Sequence, residues 1–250
     1  MSPSQTSSVL HVEVGPRAVT LLLDRPDKRN ALDLDLSRAL SSALEAHAAT
    51  PLPVVIRSRV PGMFVAGSDV AQLRSRSTDD SLSRLNGTLF QRLYDHPWPT
   101  LAVVDGAALG GGCELALACD FRITSTTALW GLPEVRLGIV PSAGALVRLA
   151  QLVGTGLATD LVLTGRRMTG AQAATAGLVS RCVETHELGD ALAGLLGDLA
   201  EGSSLAQRLA KEAMRVQGDR HRLVDAAAQA ICLASADTQD RLQRLLDRRP

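Results

Sequence analysis

Between Thr100 and Asp120 the chain runs through Thr100-Leu101-Ala102-Val103-Val104, Asp105-Gly106, Ala107-Ala108-Leu109 and Gly110-Gly111-Gly112 into Cys113-Glu114-Leu115-Ala116-Leu117-Ala118-Cys119. No other stretch restricts the possible folds as much. Its opening apolar run is short, partly β-branched and closed by Asp105-Gly106, which predicts a buried strand ending at a turn. The three glycines then permit a tight bend and a close approach of backbone to a ligand. Cys113 to Cys119 is rich in Ala and Leu and predicts a helix, so the glycines stand where a strand hands over to a helix. N–H groups at a helix start lack intrahelical partners and carry the positive end of the helix dipole. They can hold an anion, or an oxygen that becomes anionic during a reaction. Glu114 falls in the first turn beside those donors, a position that the dipole alone favours for a carboxylate.

Around this stretch the pattern alternates. Val9 to Val14 and Ala18 to Leu23 predict strands joined at Gly15-Pro16, a hairpin at the start of a sheet. Leu32, Leu36, Ala39, Leu40, Ala43 and Leu44 recur at helical spacing, with Asp33 as the cap. Val54 to Ile56 predicts a buried strand, and a second glycine-containing loop, Pro61 to Asp69, leads into Val70-Ala71-Gln72-Leu73. Helical spacing returns from Leu82 to Tyr94 before the Pro97-Trp98-Pro99 break. Beyond Glu114, Phe121 to Thr124 predicts a strand, and Pro133 opens a short helix. Gly154-Thr155-Gly156 joins two helices, Ala145 to Val153 and Leu157 to Leu163. From Leu157 onward helices dominate, interrupted by a strand over Leu178 to Val183. The first half therefore alternates strand and helix, and the last third predicts a helical segment of the kind that packs on a neighbouring subunit.

Composition removes several classes of function. The 250 residues carry 26 basic and 26 acidic side chains with no basic block, which argues against nucleic acid or an anionic membrane as partner. Cys113, Cys119, Cys182 and Cys232 show no Cys-x-x-Cys spacing, and the five histidines are scattered. That pattern predicts buried thiols in a reducing compartment, the cytoplasm, and no metal site. Met1 to Ser8 is Ser-rich and lacks the charged and apolar regions of a secretion signal.

Several segments, in this order, resemble the crotonase superfamily, also called the enoyl-CoA hydratase/isomerase family. They are Leu23-Asp24-Arg25-Pro26 with Asn30-Ala31-Leu32, Phe64 to Asp69, Pro99 to Gly106 running into Gly110 to Leu115, Cys119-Asp120, Pro133 to Gly138, and Thr164-Gly165 followed by Ala173 and Ala176 to Val179. Each alone is a common turn pattern, whereas together they are specific. The resemblance implies an α/β fold, a crotonase-like spiral of ββα turns over residues 1–190, with a helical trimerisation region over residues 191–250. It implies homotrimers or hexamers, an acyl-CoA or enoyl-CoA thioester as the small-molecule substrate, and no separate cofactor, because coenzyme A is part of the substrate.

By the same resemblance, the N–H groups of Ser68 and Gly111 form an oxyanion hole for the thioester oxygen. A side chain at Gly111 is then expected to meet the thioester or the adjoining strand. Glu114 and Glu134 are the catalytic pair, and retention of both matches hydratases that add water across a 2,3 double bond. Two carboxylates in different environments can divide acid and base work. An isomerase using Glu134 alone, or a non-catalytic acyl-CoA binder, are the alternatives. Coenzyme A is placed near Lys28, Arg29, Ala31, Ala66, Asp69, Val70, Ala71 and Leu73, with Lys28 and Arg29 facing its phosphates. Pro141-Ser142-Ala143-Gly144-Ala145 departs from the more glycine-rich loop common in hydratases.

Overall fold

A computed structural model describes residues 6–7, 9–69, 85–215 and 221–247 of the chain. Ten strands, β1 (Thr6–Ser7), β2 (Leu10–Val14), β3 (Val19–Leu23), β4 (Val54–Ser58), β5 (Thr100–Val104), β6 (Ala107–Leu109), β7 (Phe121–Ser125), β8 (Leu129–Gly131), β9 (Arg167–Thr169) and β10 (Arg181–Val183), form two sheets among the described residues. The larger runs β1-β2-β3-β4-β5-β7-β10 and the smaller β6-β8-β9. The Gly15 turn closes the antiparallel β2–β3 hairpin, with Leu10 opposite Leu23 and the Gly15 N–H donating to the Ala18 carbonyl at 2.9 Å. From β3 onward every pairing in the large sheet is parallel.

Those parallel registers generate a spiral. Leu101 on β5 pairs with Phe121 on β7, and Ala107 on β6 pairs with Leu129 on β8, so each strand-turn-strand unit lies directly on the next. An isolated bridge from Val65 to Ala108 and one from Leu32 to Ser68 extend the inner layer toward the N-terminal side. Ala107 to Leu109, which the sequence reading leaves within the glycine-rich stretch, is therefore a strand, as is Arg167–Thr169. Their three-residue length and small or charged side chains hide the alternation that marks longer strands. The predicted strand over Leu178 to Val183 shortens to Arg181–Val183.

Helices α1 (Leu34–Ala46), α2 (Leu85–Tyr94), α3 (Gly111–Ala118) and α4 (Ala145–Thr164) pack on one face of the spiral, followed by the short α5 (Gly170–Thr175). Asp33 caps α1 as its position predicts, its carboxylate accepting the Leu36 N–H at 2.8 Å. Every residue of α3 is buried, which suits a short helix apolar all round apart from Glu114. Non-helical Gly154 (φ 77°, ψ 156°) breaks α4 where Gly154-Thr155-Gly156 predicts a joint. By length and hydropathy α4 is the one described helix able to cross a membrane, yet its Ala145, Leu149, Ala158 and Leu161 side chains belong to the core. Residues 82–84 of the predicted Leu82 to Tyr94 helix lie outside the described residues.

Strand β5 is buried throughout and, beyond Thr100, apolar, because both of its faces are covered. Ala102 and Val104 face the main core, while Leu101 and Val103 join Val55 and Ile123 beneath Leu188 and Leu195 of α6 (Leu188–Glu201). The division between residues 190 and 191 thus falls inside a helix that covers the sheet. The chain leaves the sheet at Gly202, before α7 (Ser204–Ala213), α8 (His221–Ala234) and α9 (Ala236–Asp247). Buried Lys211 docks α7 onto the spiral, its ammonium 2.6 Å from the Asp120 carboxylate and 2.8 Å from the Trp98 carbonyl.

Two glycines make the close stacking of turns possible. An added Cβ at Gly106 (φ +92°) would lie 2.3 Å from the Gly62 carbonyl oxygen, and one at Gly112 would lie 2.1 Å from that of Val65. At Gly111 the neighbours are side-chain ends instead, Ser68 Oγ at 3.0 Å and Leu32 Cδ1 at 3.3 Å. The expected clash with the adjoining strand therefore belongs to Gly112, one residue further into the helix. Gly112→Ala should destabilise by at least ~3 kcal/mol or prevent folding, whereas Gly111→Ala should stay within ~1 kcal/mol of the parent. Urea unfolding midpoints of the two variants check this, and equal midpoints would contradict it.

Candidate active site

Three successive turns of the spiral deliver the site. From the first, the segment ending at Asp69 runs beside the loop of Pro26 to Leu32: Ala66 N–H donates to Arg29 O at 3.1 Å, Leu32 N–H to Gly67 O at 2.8 Å, and Asp69 N–H to Leu32 O at 2.9 Å. In this arrangement the bonds pass on either side of Ser68, and the Ser68 N–H meets no acceptor among the described residues. Lys28, Arg29, Ala31, Ala66 and Asp69 are thereby brought together along one edge with Ser68, and the Lys28 and Arg29 side chains are exposed. Val70, Ala71 and Leu73 lie outside the described residues.

A residue that the sequence reading treats only as part of a motif holds this edge in place. Asn30 is fully buried with a left-handed backbone (φ 53°), which Asn tolerates better than most residues. Its amide donates to Ser58 Oγ at 3.0 Å and to Phe64 O at 2.9 Å, and its carbonyl accepts the Arg25 N–H at 2.7 Å. Arg25 in turn pairs with Asp33 at 2.7 Å and lies 3.9 Å from Asp69, linking the α1 cap to the Ser68 segment.

The second turn supplies the glycines and Glu114. Gly110 (φ 51°) passes from β6 into α3 while its N–H donates to Gly131 O at 2.9 Å. Gly111 is the first residue of α3, so its N–H has no partner within the helix, and a Cβ there would lie 3.7 Å from Ser68 N. The two unengaged donors are therefore neighbours. One helical turn on, Glu114 is 5% exposed, and its Oε1 accepts the Ala143 N–H at 2.8 Å. Burial raises its pKa above the ordinary carboxyl value, opposed by the N–H groups of Ala143 and Ala145 and by the nearby Arg148 cation.

The third turn brings Glu134, held in the short 3-10 helix Pro133–Leu137 that Pro133 opens and Gly138 (φ 73°) ends. Its Oε1 would lie 3.0 Å from a Cβ on Gly110, so only glycine leaves the carboxylate room against the second turn. Its Oε2 is buried without a hydrogen-bond partner among the described residues. Burial pushes its pKa up to about 7, reinforced by the charge of Glu114. The two carboxylates thus differ in kind: one is anchored by backbone donors, and the other keeps a buried oxygen without a partner among the described residues.

Beside Ala143 a cleft of about 480 Å³ opens, lined by Gly87, Thr88, Gln91 and Arg92 of α2 and by Ala143 and Gly144. The Gln91 to Arg92 face and Arg148 are functional-site neighbours that the sequence reading passes over. Helical spacing marks α2 only as an amphipathic helix, and nothing local signals that the face turned to Ala143 is polar. Trp130, buried on β8, donates from Nε1 to Thr124 Oγ1 at 3.1 Å and closes the core behind Gly110.

Comparison with known proteins agrees with this geometry. The sequence profile of the enoyl-CoA hydratase/isomerase family matches residues 17–246. The chain is 37% identical over 228 residues to a probable mitochondrial enoyl-CoA hydratase 2 of Arabidopsis thaliana, covering 89% of this chain and 76% of the relative. It is 33% identical to a crotonyl-CoA hydratase of Syntrophomonas wolfei, with 95% of each chain covered. A crystal structure of an enoyl-CoA hydratase from Bacillus anthracis superposes with a TM-score of 0.91 at 30% identity, covering 96% of this chain and 97% of that one. With its stacked turns, helix-start glycines and paired carboxylates, the chain belongs to the enoyl-CoA hydratase/isomerase family.

Proposed function

We propose that this chain hydrates 2-enoyl-CoA thioesters and that Ser68, Gly111, Glu114 and Glu134 carry the reaction. The observation that supports this reading most is the pairing of two buried carboxylates in unlike settings beside two unengaged backbone donors. In this reading the Ser68 and Gly111 N–H groups polarise the thioester carbonyl and hold the negative charge that builds on its oxygen. A lost donor of this kind typically costs about 2.7–4 kcal/mol of transition-state stabilisation.

Glu114, whose ionised form the Ala143 and Ala145 N–H groups favour, takes a proton from water as its oxygen bonds to C3. Glu134, protonated up to about pH 7, delivers a proton to C2 as the C2–C3 π bond is lost. One water is consumed, and a proton returns from Glu114 to Glu134 before the next turnover. No electron leaves or enters, so the balance needs no redox cofactor. Coenzyme A enters as part of the substrate along the edge formed by Lys28, Arg29, Ala31, Ala66 and Asp69, and the cleft beside Ala143 takes the acyl group. The four cysteines, all unpaired, fit a reducing setting such as the cytoplasm.

We further propose assembly into a homotrimer or hexamer through the C-terminal helices. A groove of about 570 Å³ between α7 and α8 is lined by Leu209, Ala210, Ala213, Met214, Ala228 and Cys232, and Met214 is 81% exposed. Light scattering at micromolar concentration should return three or six times the chain mass, and a strictly monomeric mass would contradict the assembly.

Glu114→Gln and Glu134→Gln should each lower kcat for hydration at least ~10²-fold while acyl-CoA binding persists. Hydration unaffected by Glu114→Gln would favour the isomerase alternative, and binding without any turnover in the parent would favour the non-catalytic one. Glu134 also makes a prediction that needs no substrate. Above pH 4.5 the unfolded chain releases the Glu134 proton while the folded chain keeps it, so folded stability declines with pH until the folded group ionises near pH 7. Denaturant melts across this window should show a decline, on the order of 3 kcal/mol, that Glu134→Gln removes. Parallel pH profiles for parent and variant would contradict the raised pKa.

A further inference from the structure

We propose that Arg148 is a positioning residue for Glu114, acting through the Ala143 backbone and tied by a Tyr94 stack to the C-terminal end of α7. The proposal rests on the hydratase reading, and it adds a residue that neither touches the reacting atoms nor belongs to the coenzyme edge. Arg148 lies on the first turn of α4 and is 8% exposed, an unusual place for a guanidinium without a carboxylate in direct contact. Its donors instead meet neutral acceptors. Nη1 donates to Ala143 O at 2.9 Å and Nη2 to Gln91 Oε1 at 3.2 Å.

Ala143 is thus held at both ends. Its carbonyl accepts from Arg148, and its N–H donates to Glu114 Oε1 at 2.8 Å. The residue that would otherwise be free to turn is fixed, and with it the direction from which Glu114 is held. The chain also makes space for this contact: a Cβ on Gly144 (φ +97°) would lie 2.6 Å from Arg148 Nη1. Gly144 is therefore required twice, by its backbone and by the guanidinium beside it.

The guanidinium is held from below. Its Cζ stands 4.7 Å from the centroid of the Tyr94 ring, and the Cζ of Arg215 stands 3.8 Å from the same centroid. Arg215, just past α7, donates from Nη2 to Asp120 Oδ1 at 2.8 Å, and Asp120 also holds Lys211. A continuous set of contacts therefore runs from Asp120 through Arg215, Tyr94 and Arg148 to the Ala143 backbone and Glu114. The charged or titratable groups acting on Arg148 are Tyr94, Glu114, Asp95 and Arg215; Arg148 acts on Glu114, Glu114 acts on Glu134, and the buried Cys113 thiol feels both carboxylates.

The test compares Arg148→Lys and Arg148→Met with the parent. Methionine removes the donors and the charge; lysine keeps the charge on a single donor nitrogen but loses the planar fork that meets two acceptors. Hydration kcat should fall about tenfold or more in Arg148→Met, with KM within about threefold, and Arg148→Lys should lie between. Loss of the cation and of a fixed Ala143 N–H both raise the Glu114 pKa, so the acidic limb of the rate profile should move to higher pH. Carboxyl ¹³C titration of Glu114, which needs no substrate, should move the same way and separates failure of this proposal from failure of the hydratase reading. If Arg148→Met does not fold, Arg148→Lys carries the comparison; if neither folds, Tyr94→Leu, which removes the ring beneath the guanidinium, should give the same direction. A folded variant with unchanged kcat and unchanged Glu114 titration would overturn the proposal, as would a raised KM with unchanged kcat, which would make Arg148 a substrate contact.

Discussion

The whole site depends on how closely one turn of the spiral lies on the next at Val65 and Gly112. The Val65 carbonyl occupies the space where any Cβ at position 112 would sit, and the Val65 N–H is bound by Ala107 O at 3.0 Å. That contact presses the first turn of α3 against the segment that carries Ser68, so two donors 43 positions apart in sequence (111 − 68) become neighbours. Hydrogen bonds set the register and the missing side chain sets the distance. Residues with side chains at Gly106 and Gly112 would hold the layers apart, and no helix dipole could recover the geometry.

Electrostatics then follows from packing. Glu114 and Glu134 are chemically identical and nearly equally buried, so burial alone would raise both pKa values alike. What separates them is the supply of donors. The loop before α4 offers N–H groups to Glu114, whereas the 3-10 turn leaves Glu134 with an oxygen that no described residue satisfies. An unpaired buried oxygen costs folding free energy, on the order of 1–3 kcal/mol, and it is tolerable where a substrate or a proton completes it. The departure at Pro141 to Ala145 from a glycine-rich loop thus bears on the base partner, since Ala143 supplies the N–H and Gly144 leaves room for Arg148.

Much of this was legible in the residues because the informative signals are local. The apolar run into Gly110-Gly111-Gly112 predicts a strand-to-helix junction, Asp33 predicts a cap, and Gly154 predicts a break, and each depends on neighbours within a few positions. Where contacts are distant in sequence the residues were silent. Ala107 to Leu109 looks like part of a loop because its partners, Val65 and Leu129 to Gly131, lie 20 to 45 positions away. Asn30 reads only as one residue of a motif until Ser58 and Phe64 close around its amide. Arg148 goes unmarked, since nothing in Ala145 to Val153 says that Gln91 and Tyr94 come to meet it. For the same reason the apolar face of α6 resembles that of an interface helix until Val55, Leu101 and Ile123 are seen beneath it.

In the proposed mechanism labour is divided: Glu134 and the two backbone donors handle the proton at C2, while Glu114 handles water. Exchange of the C2 proton of a saturated acyl-CoA in deuterated water isolates the first half, because no water adds to that thioester. The account predicts deuterium entering C2 at a near-parent rate in Glu114→Gln, which has lost hydration, and at a rate at least ~10²-fold lower in Glu134→Gln. Exchange that survives in Glu134→Gln, or that disappears with Glu114, would contradict it.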